Sequence, residues 1–141
     1  MEGCIMAGLA LKVVKDYIES QDLTVEQVNE SLLRIGIGFE GGSVQIFLDF
    51  DDDDSHVHLE GINFINIPEN KFDIMYKVVN DCNKTYKHVK FVLDVEHKQI
   101  QVSDDAIIQL DTCGPECFEL MVRMLQIVED AYPTLMKAVW A

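Results

Sequence analysis

Little in this sequence is basic, and nothing in it is apolar for long. Eleven lysines and arginines stand against 25 acids in 141 residues, giving a formal net charge of −14. Phosphate binding depends on cations displacing counter-ions, so a general nucleic-acid role is excluded. The longest apolar runs, such as Ala7 to Leu11, fall far short of the ~18 residues that a membrane-spanning helix needs. No secretion signal is visible either: Met1 is followed by Glu2 where basic residues belong, and no small-residue cleavage site follows a long apolar stretch. The expected location is cytoplasmic, with no membrane partner. Cys4, Cys82, Cys113 and Cys117 form no even, closely spaced framework and are expected to be free thiols. The chain also lacks a Gly-x-Ser-x-Gly elbow, a Walker loop and a dinucleotide-binding Gly-x-Gly-x-x-Gly, since Gly36-Ile37-Gly38 stops short of a third glycine and precedes a strand.

What is present is an ordinary globular balance, 48% hydrophobic and 26% charged. Ile5, Leu9, Val13 and Tyr17, with Ala10, Val14 and Ile18 beside them, predict an amphipathic helix ending near Ser20. Thr24 and Gln27 could open a second helix as a capping box, but Leu23/Val25 and Leu33/Ile35/Ile37 alternate, and Gly36 and Gly38 penalise a helix interior. Two short strands around a turn at Asn29-Glu30 are therefore predicted. After Gly41-Gly42, the alternation of Val44, Ile46, Leu48 and Phe50, repeated by Val57 and Leu59 beyond an acidic loop, predicts a hairpin. Pro68 should begin a helix with Phe72, Met75, Tyr76, Val79 and Cys82 on one face, ending between Asn83 and Tyr86. Lys90 to Asp94 and Gln99 to Ile108 predict a second hairpin turning at Glu96-His97-Lys98. Pro115 suits the first turn of a last helix whose stripe is Phe118, Met121, Met124, Leu125, Val128 and Tyr132, with Pro133 interrupting it before a short tail.

The fold class is thus α+β, an antiparallel β-sheet with helices in the order α-β-β-β(-β)-α-β-β-α, in one domain over residues 1–141. Three stretches, Ser43 to Phe50, Tyr76 to Lys84 with Asn80 and Asn83, and Ala106 to Leu110 running into Glu119 to Pro133, resemble the YbjN-like family of bacterial proteins assigned to sensory-transduction regulation. The resemblance covers most of the chain after Gln21 and carries no active-site motif. It implies the fold shared with the small chaperones of type III secretion, a dimer, and no reaction or cofactor.

Four constellations could carry chemistry. In Asp49 to Glu60, Asp49, Asp51, Asp53 and Glu60 fall at calcium-loop positions, but Asp54 stands where the sharp turn requires glycine and strands flank the loop, which excludes an EF-hand. A metal-dependent enzyme or a weak divalent-cation sensor using Asp51 to Asp54 with His56 and His58 stays as the alternative, though two histidines on one strand face lack a third ligand. Cys113 and Cys117 sit at a helix start, where the dipole could favour a thiolate; three intervening residues instead suggest one buried thiol and one in the capping region. Asp104 and Asp105 should face opposite ways on their strand. Two surfaces point to binding. Lys71, Lys77, Lys84, Lys87 and Lys90, opposed only by Asp73 and Asp81, are either a solvated face completing a helix dipole or a site for an acidic partner. Leu120, Val122 and Ile127 outside the last helix's stripe, with Leu135, Met136, Val139 and Trp140 in the tail, form a candidate partner or dimer surface. The function expected is non-catalytic: a homodimeric protein-binding or regulatory domain with an unknown protein partner and no resident metal.

Overall fold

Apolar side chains at alternate positions build the sheet from the middle outward. The computed structural model describes residues 8–141; the helix position Ile5, the thiol Cys4 and the start of the apolar run at Ala7 lie outside the described residues. The strands are β1 (Glu26–Gln27), β2 (Leu32–Phe39), β3 (Gly42–Phe50), β4 (His56–Ile62), β5 (Lys90–Asp94) and β6 (Gln99–Ile107). They form one antiparallel sheet in the order β1-β2-β3-β4-β6-β5. Register aligns Leu33, Leu48 and Leu59 in one row and Ile35, Ile46, Gly61, Val102 and Phe91 in the next, so all of these project from the same face. The predicted order of elements along the chain holds, with four strands before the middle helix. The Asn29 turn holds too: its side chain accepts a bond from the Ser31 N–H at 2.9 Å.

Three helices cover that inner face: α1 (Leu9–Ser20), α2 (Phe72–Thr85), entered through a 3-10 turn at Glu69–Lys71, and α3 (Cys113–Trp140). In α1 the buried ridge is Ala10, Leu11, Val14 and Ile18; Leu9 and Val13, expected to point inward, lie at its exposed margin. In α2 the buried residues are Met75, Val79 and Cys82, and Tyr76, placed on that face by the sequence, is exposed. A two-ridge pattern reads similarly on either side of a narrow contact, so periodicity fixes the arc only to within one ridge.

The larger correction is Pro133, which does not interrupt α3. The helix runs 28 residues, about 42 Å at 1.5 Å per residue, with Pro133 inside it. Its core positions Cys117, Met121, Met124, Val128, Ala131 and Leu135 alternate steps of four and three and continue past the proline. Proline removes one backbone bond and disfavours the turn before it, and here tertiary packing on both sides outweighs that. Tyr132 packs edge-on against Phe39, ring centroids 5.2 Å apart. Glu129 accepts a bond from the Glu40 N–H at 2.9 Å. Close approaches seat α3: a Cβ on Gly61 would lie 2.7 Å from Val102 Cγ2 and 3.3 Å from Met124 Sδ. No helix among the described residues is long and apolar enough to cross a membrane. Among the described residues all three helices lie on one side, and none covers the other face of the sheet.

Candidate functional site

The acidic hairpin between β3 and β4 is internally bonded. Asp51 accepts bonds from the N–H groups of Ser55 and His56 at 2.9 and 3.0 Å, from Ser55 Oγ at 2.8 Å, and meets His56 Nδ1 at 3.1 Å. Burial pushes its carboxyl up, but the donors of Ser55 and His56 outweigh that and hold it well below the usual carboxylate range. Asp54, at a φ of 56°, turns its Oδ1 to accept the Ala10 N–H at 3.0 Å. It thereby caps α1, whose own N-cap residue, Gly8, has no side chain to do so. The loop is therefore not merely solvated, as charge runs usually are; only Asp52 and Asp53 are exposed.

The calcium-loop positions do not converge. Asp49 points out of the sheet in register with His58, Asp51 is committed to Ser55 and His56, and Glu60 meets His58 Nε2 at 3.3 Å. His56 and His58 do share the outer face, each beside its own carboxylate. His58 Nδ1 lies 2.7 Å from Asp105. Burial lowers its pKa, but its bonds to Asp105 and Glu60 raise it by more, so it stays protonated higher than an ordinary histidine. Asp105 is exposed on this face and Asp104 is buried on the other, as strand alternation requires.

Both Cys113 and Cys117 are fully buried, a correction to the expected single buried thiol. Burial pushes Cys117 up to about 12 and raises Cys113 as well. Since the thiolate is the reactive form, desolvation overrides the helix start and keeps both protonated. Cys113 Sγ instead donates to the Leu110 carbonyl at 3.7 Å.

The residues of the candidate partner surface separate into groups. Leu120 and Ile127 are half-buried against the core, Val122 is half-buried further round the helix, and Leu135 is wholly buried and belongs to the core. Met136, Val139 and Trp140 converge, with Tyr132, on a cleft of about 710 Å³. Its opposite wall is residues 63–68, where Phe64, Ile65 and Ile67 present the margins of buried side chains, and His97 and Lys98 rim it. That wall is fixed from the sheet: Ile67 N–H bonds the Lys98 carbonyl at 2.8 Å and the Gln99 side chain accepts the Asn63 N–H at 3.0 Å. Trp140 stands 79% exposed at the rim.

The sequence profile of the YbjN family, described as "Putative bacterial sensory transduction regulator", matches residues 10–133. The chain belongs to the YbjN family. Its fold is similar to the crystal structure of YbjN from E. coli, at 10% identity and a TM-score of 0.64 over 88% of this chain and 92% of that one. A chain of the ExsC-ExsE complex is similar at 16% identity and 0.59, covering 88% and 91%. A chain of the HopA1-SchA chaperone-effector complex is similar at 12% and 0.50, covering 86% and 94%. At such identities the likeness is one of fold. No curated protein matches the sequence.

Two clusters in this YbjN-family chain escaped the sequence reading. Asp104, on the inner face, is buried with Oδ2 unpartnered. Burial raises its pKa, moderated by the Asp105 N–H and by Arg123 and His88 nearby. An acid at an inward strand position was the available signal. Asp94, Glu96 and His97 are the group among the described residues whose ligand atoms all lie within 4.8 Å of one another, at the β5–β6 turn read only as a turn. His97 Nδ1 meets Asp94 at 2.8 Å, a bond that raises the histidine and lowers the acid.

Proposed function

We propose that this YbjN-family chain is a cytoplasmic protein-binding regulatory domain spanning residues 1–141, homodimeric and without catalytic chemistry, whose contact surface is the cleft at the end of α3. The observation that carries this reading is the convergence of Met136, Val139 and an exposed Trp140 on one concave apolar site. Exposed tryptophan with adaptable methionine is the composition of contact surfaces. The groups that would have to do chemistry are otherwise engaged: the thiols of Cys113 and Cys117 are buried and protonated, and Asp51 holds its own loop together. The fold's occurrence in a chaperone-effector complex supports the same reading.

Light scattering coupled to size exclusion tests the assembly. At tens of micromolar, on the order of concentrations that occupy a specific interface, the expected mass is twice the 16.0 kDa of one chain. Trp140→Ala should move it toward the monomer. A wild-type monomer at that concentration sinks the dimer, and a dimer indifferent to Trp140→Ala moves the interface elsewhere.

A further inference from the structure

The lysines at and beyond the end of α2 gather around a recess of about 650 Å³ between the end of that helix and the start of β5, lined by Lys84, Lys87, His88 and Lys90 with Asn83 and Tyr86. Among the described residues neither these three lysines nor His88 forms an ion pair, in a chain with 25 acids to choose from. A helix dipole accounts for Lys84, in the last turn of α2. Its field fades within that turn and does not account for Lys87, His88 and Lys90, which lie beyond the helix.

The recess is also built. Val89 N–H bonds the Lys87 carbonyl at 2.8 Å around His88, whose φ is 74°. That is a γ-turn in its strained, positive-φ form, a conformation that surroundings must impose. On one side Asn83 clamps Phe91, accepting its N–H at 2.7 Å and donating to its carbonyl at 3.0 Å. On the other, the Tyr86 hydroxyl donates to Asp130 on α3, so the acid nearest that ring is already engaged. Asp104, within the field of His88, is buried behind the sheet margin and unavailable to neutralise the lysines from outside.

We propose that this recess is a binding site for a short carboxylate-rich peptide segment of a partner protein, held by Lys84, Lys87, His88 and Lys90. The size of the site decides against nucleic acid. Charge is felt over about 8 Å at physiological salt, so an extended polyanion would overrun the lysines and be repelled by a surface whose net charge is −14. A segment of a few residues stays inside the cationic zone. This site is separate from the apolar cleft at the end of α3 and stands whether or not that cleft forms a dimer.

Fluorescence anisotropy with a labelled hexaglutamate peptide tests it. The full chain should bind the peptide saturably at low salt and should not bind hexaglutamine. Raising salt from about 50 to 300 mM, which shortens the screening length, should weaken binding at least tenfold. Lys87→Ala with Lys90→Ala, both exposed positions, should also weaken it at least tenfold. Lys12→Ala with Lys15→Ala on α1 removes the same charge elsewhere and should change it less than about threefold if the recess rather than overall charge is read. Equal losses in the two double variants, absence of binding to hexaglutamate, or tighter binding to hexathymidylate would each overturn the proposal. Should Lys87→Ala with Lys90→Ala lose the wild-type circular dichroism, Lys84→Ala alone takes its place and should weaken binding at least threefold.

Discussion

The acidic hairpin at Asp51–Ser55 and the lysine-rich connection from Lys84 to Lys90 are the chain's aspartate run and its lysine run, and they use charge in opposite ways. In the hairpin, Asp51 takes donors from Ser55 and His56 and Asp54 caps α1, so half of its aspartates serve the fold. In the connection, the backbone is held by Asn83, Tyr86 and a γ-turn, and the lysines themselves hold nothing. Charge density therefore says little about where binding occurs. What matters is whether the charge is already engaged.

Four measurements can break or sharpen that contrast. Asp51→Ala should have the largest effect, a loss of about 2 kcal/mol in urea denaturation, because it strands several donors of Ser55 and His56 at once, discounted for partial exposure. A loss under about 0.5 kcal/mol would mean that the hairpin is solvated after all. Asp54→Ala should lose about 1 kcal/mol, the usual worth of an N-cap, and amide exchange should speed in the first turn of α1. Asp54→Asn should lose less, since asparagine still accepts the Ala10 N–H and tolerates the positive φ.

The third is a titration. Asp51 has a folded pKa below its ordinary 3.8, so its contribution is fully present above about pH 4 and is lost as pH falls through the lower folded value. The stability gap between wild type and Asp51→Asn should be flat from about pH 5 to 7 and close in stronger acid; a gap that widens there reverses the sign. The smallest effects belong to charges that hold nothing. Asp52→Asn with Asp53→Asn, and separately Lys87→Ala with Lys90→Ala, should shift stability by under ~0.5 kcal/mol, or raise it at low salt by relieving like-charge repulsion. A fall above ~1 kcal/mol in either would show specific contacts in that loop.

The strands, their succession along the chain and the two hairpins were legible in the sequence because alternation is a local signal, and the case against a calcium loop was made there from Asp54 in place of glycine and from the flanking strands. The roles of Asp51 and Asp54 were not. The bond from Asp54 joins residues 44 apart in sequence, and a four-aspartate run offers no local hint as to which member faces inward. Pro133 misled because its penalty is local while the packing of Ala131 and Leu135 that overrides it is tertiary. Of the tail residues singled out by composition, Met136, Val139 and Trp140 line the cleft while Leu135 is buried in the core, a difference set only by angle around the helix. The lysine stretch was visible as a run, whereas its lack of partners requires knowing where every acid went.

The Asn83 clamp on Phe91 also bears on how the sheet ends. β5 is a margin strand, and its outward N–H and C=O groups are the template onto which a further strand would add. By occupying both groups of Phe91, one amide side chain imitates that strand and closes this position to it. At the opposite margin β1 is only two residues long and covers just Leu33 and Arg34 of β2. Asn83→Ala would reopen that position and should surface first as slow aggregation of a chain that still folds.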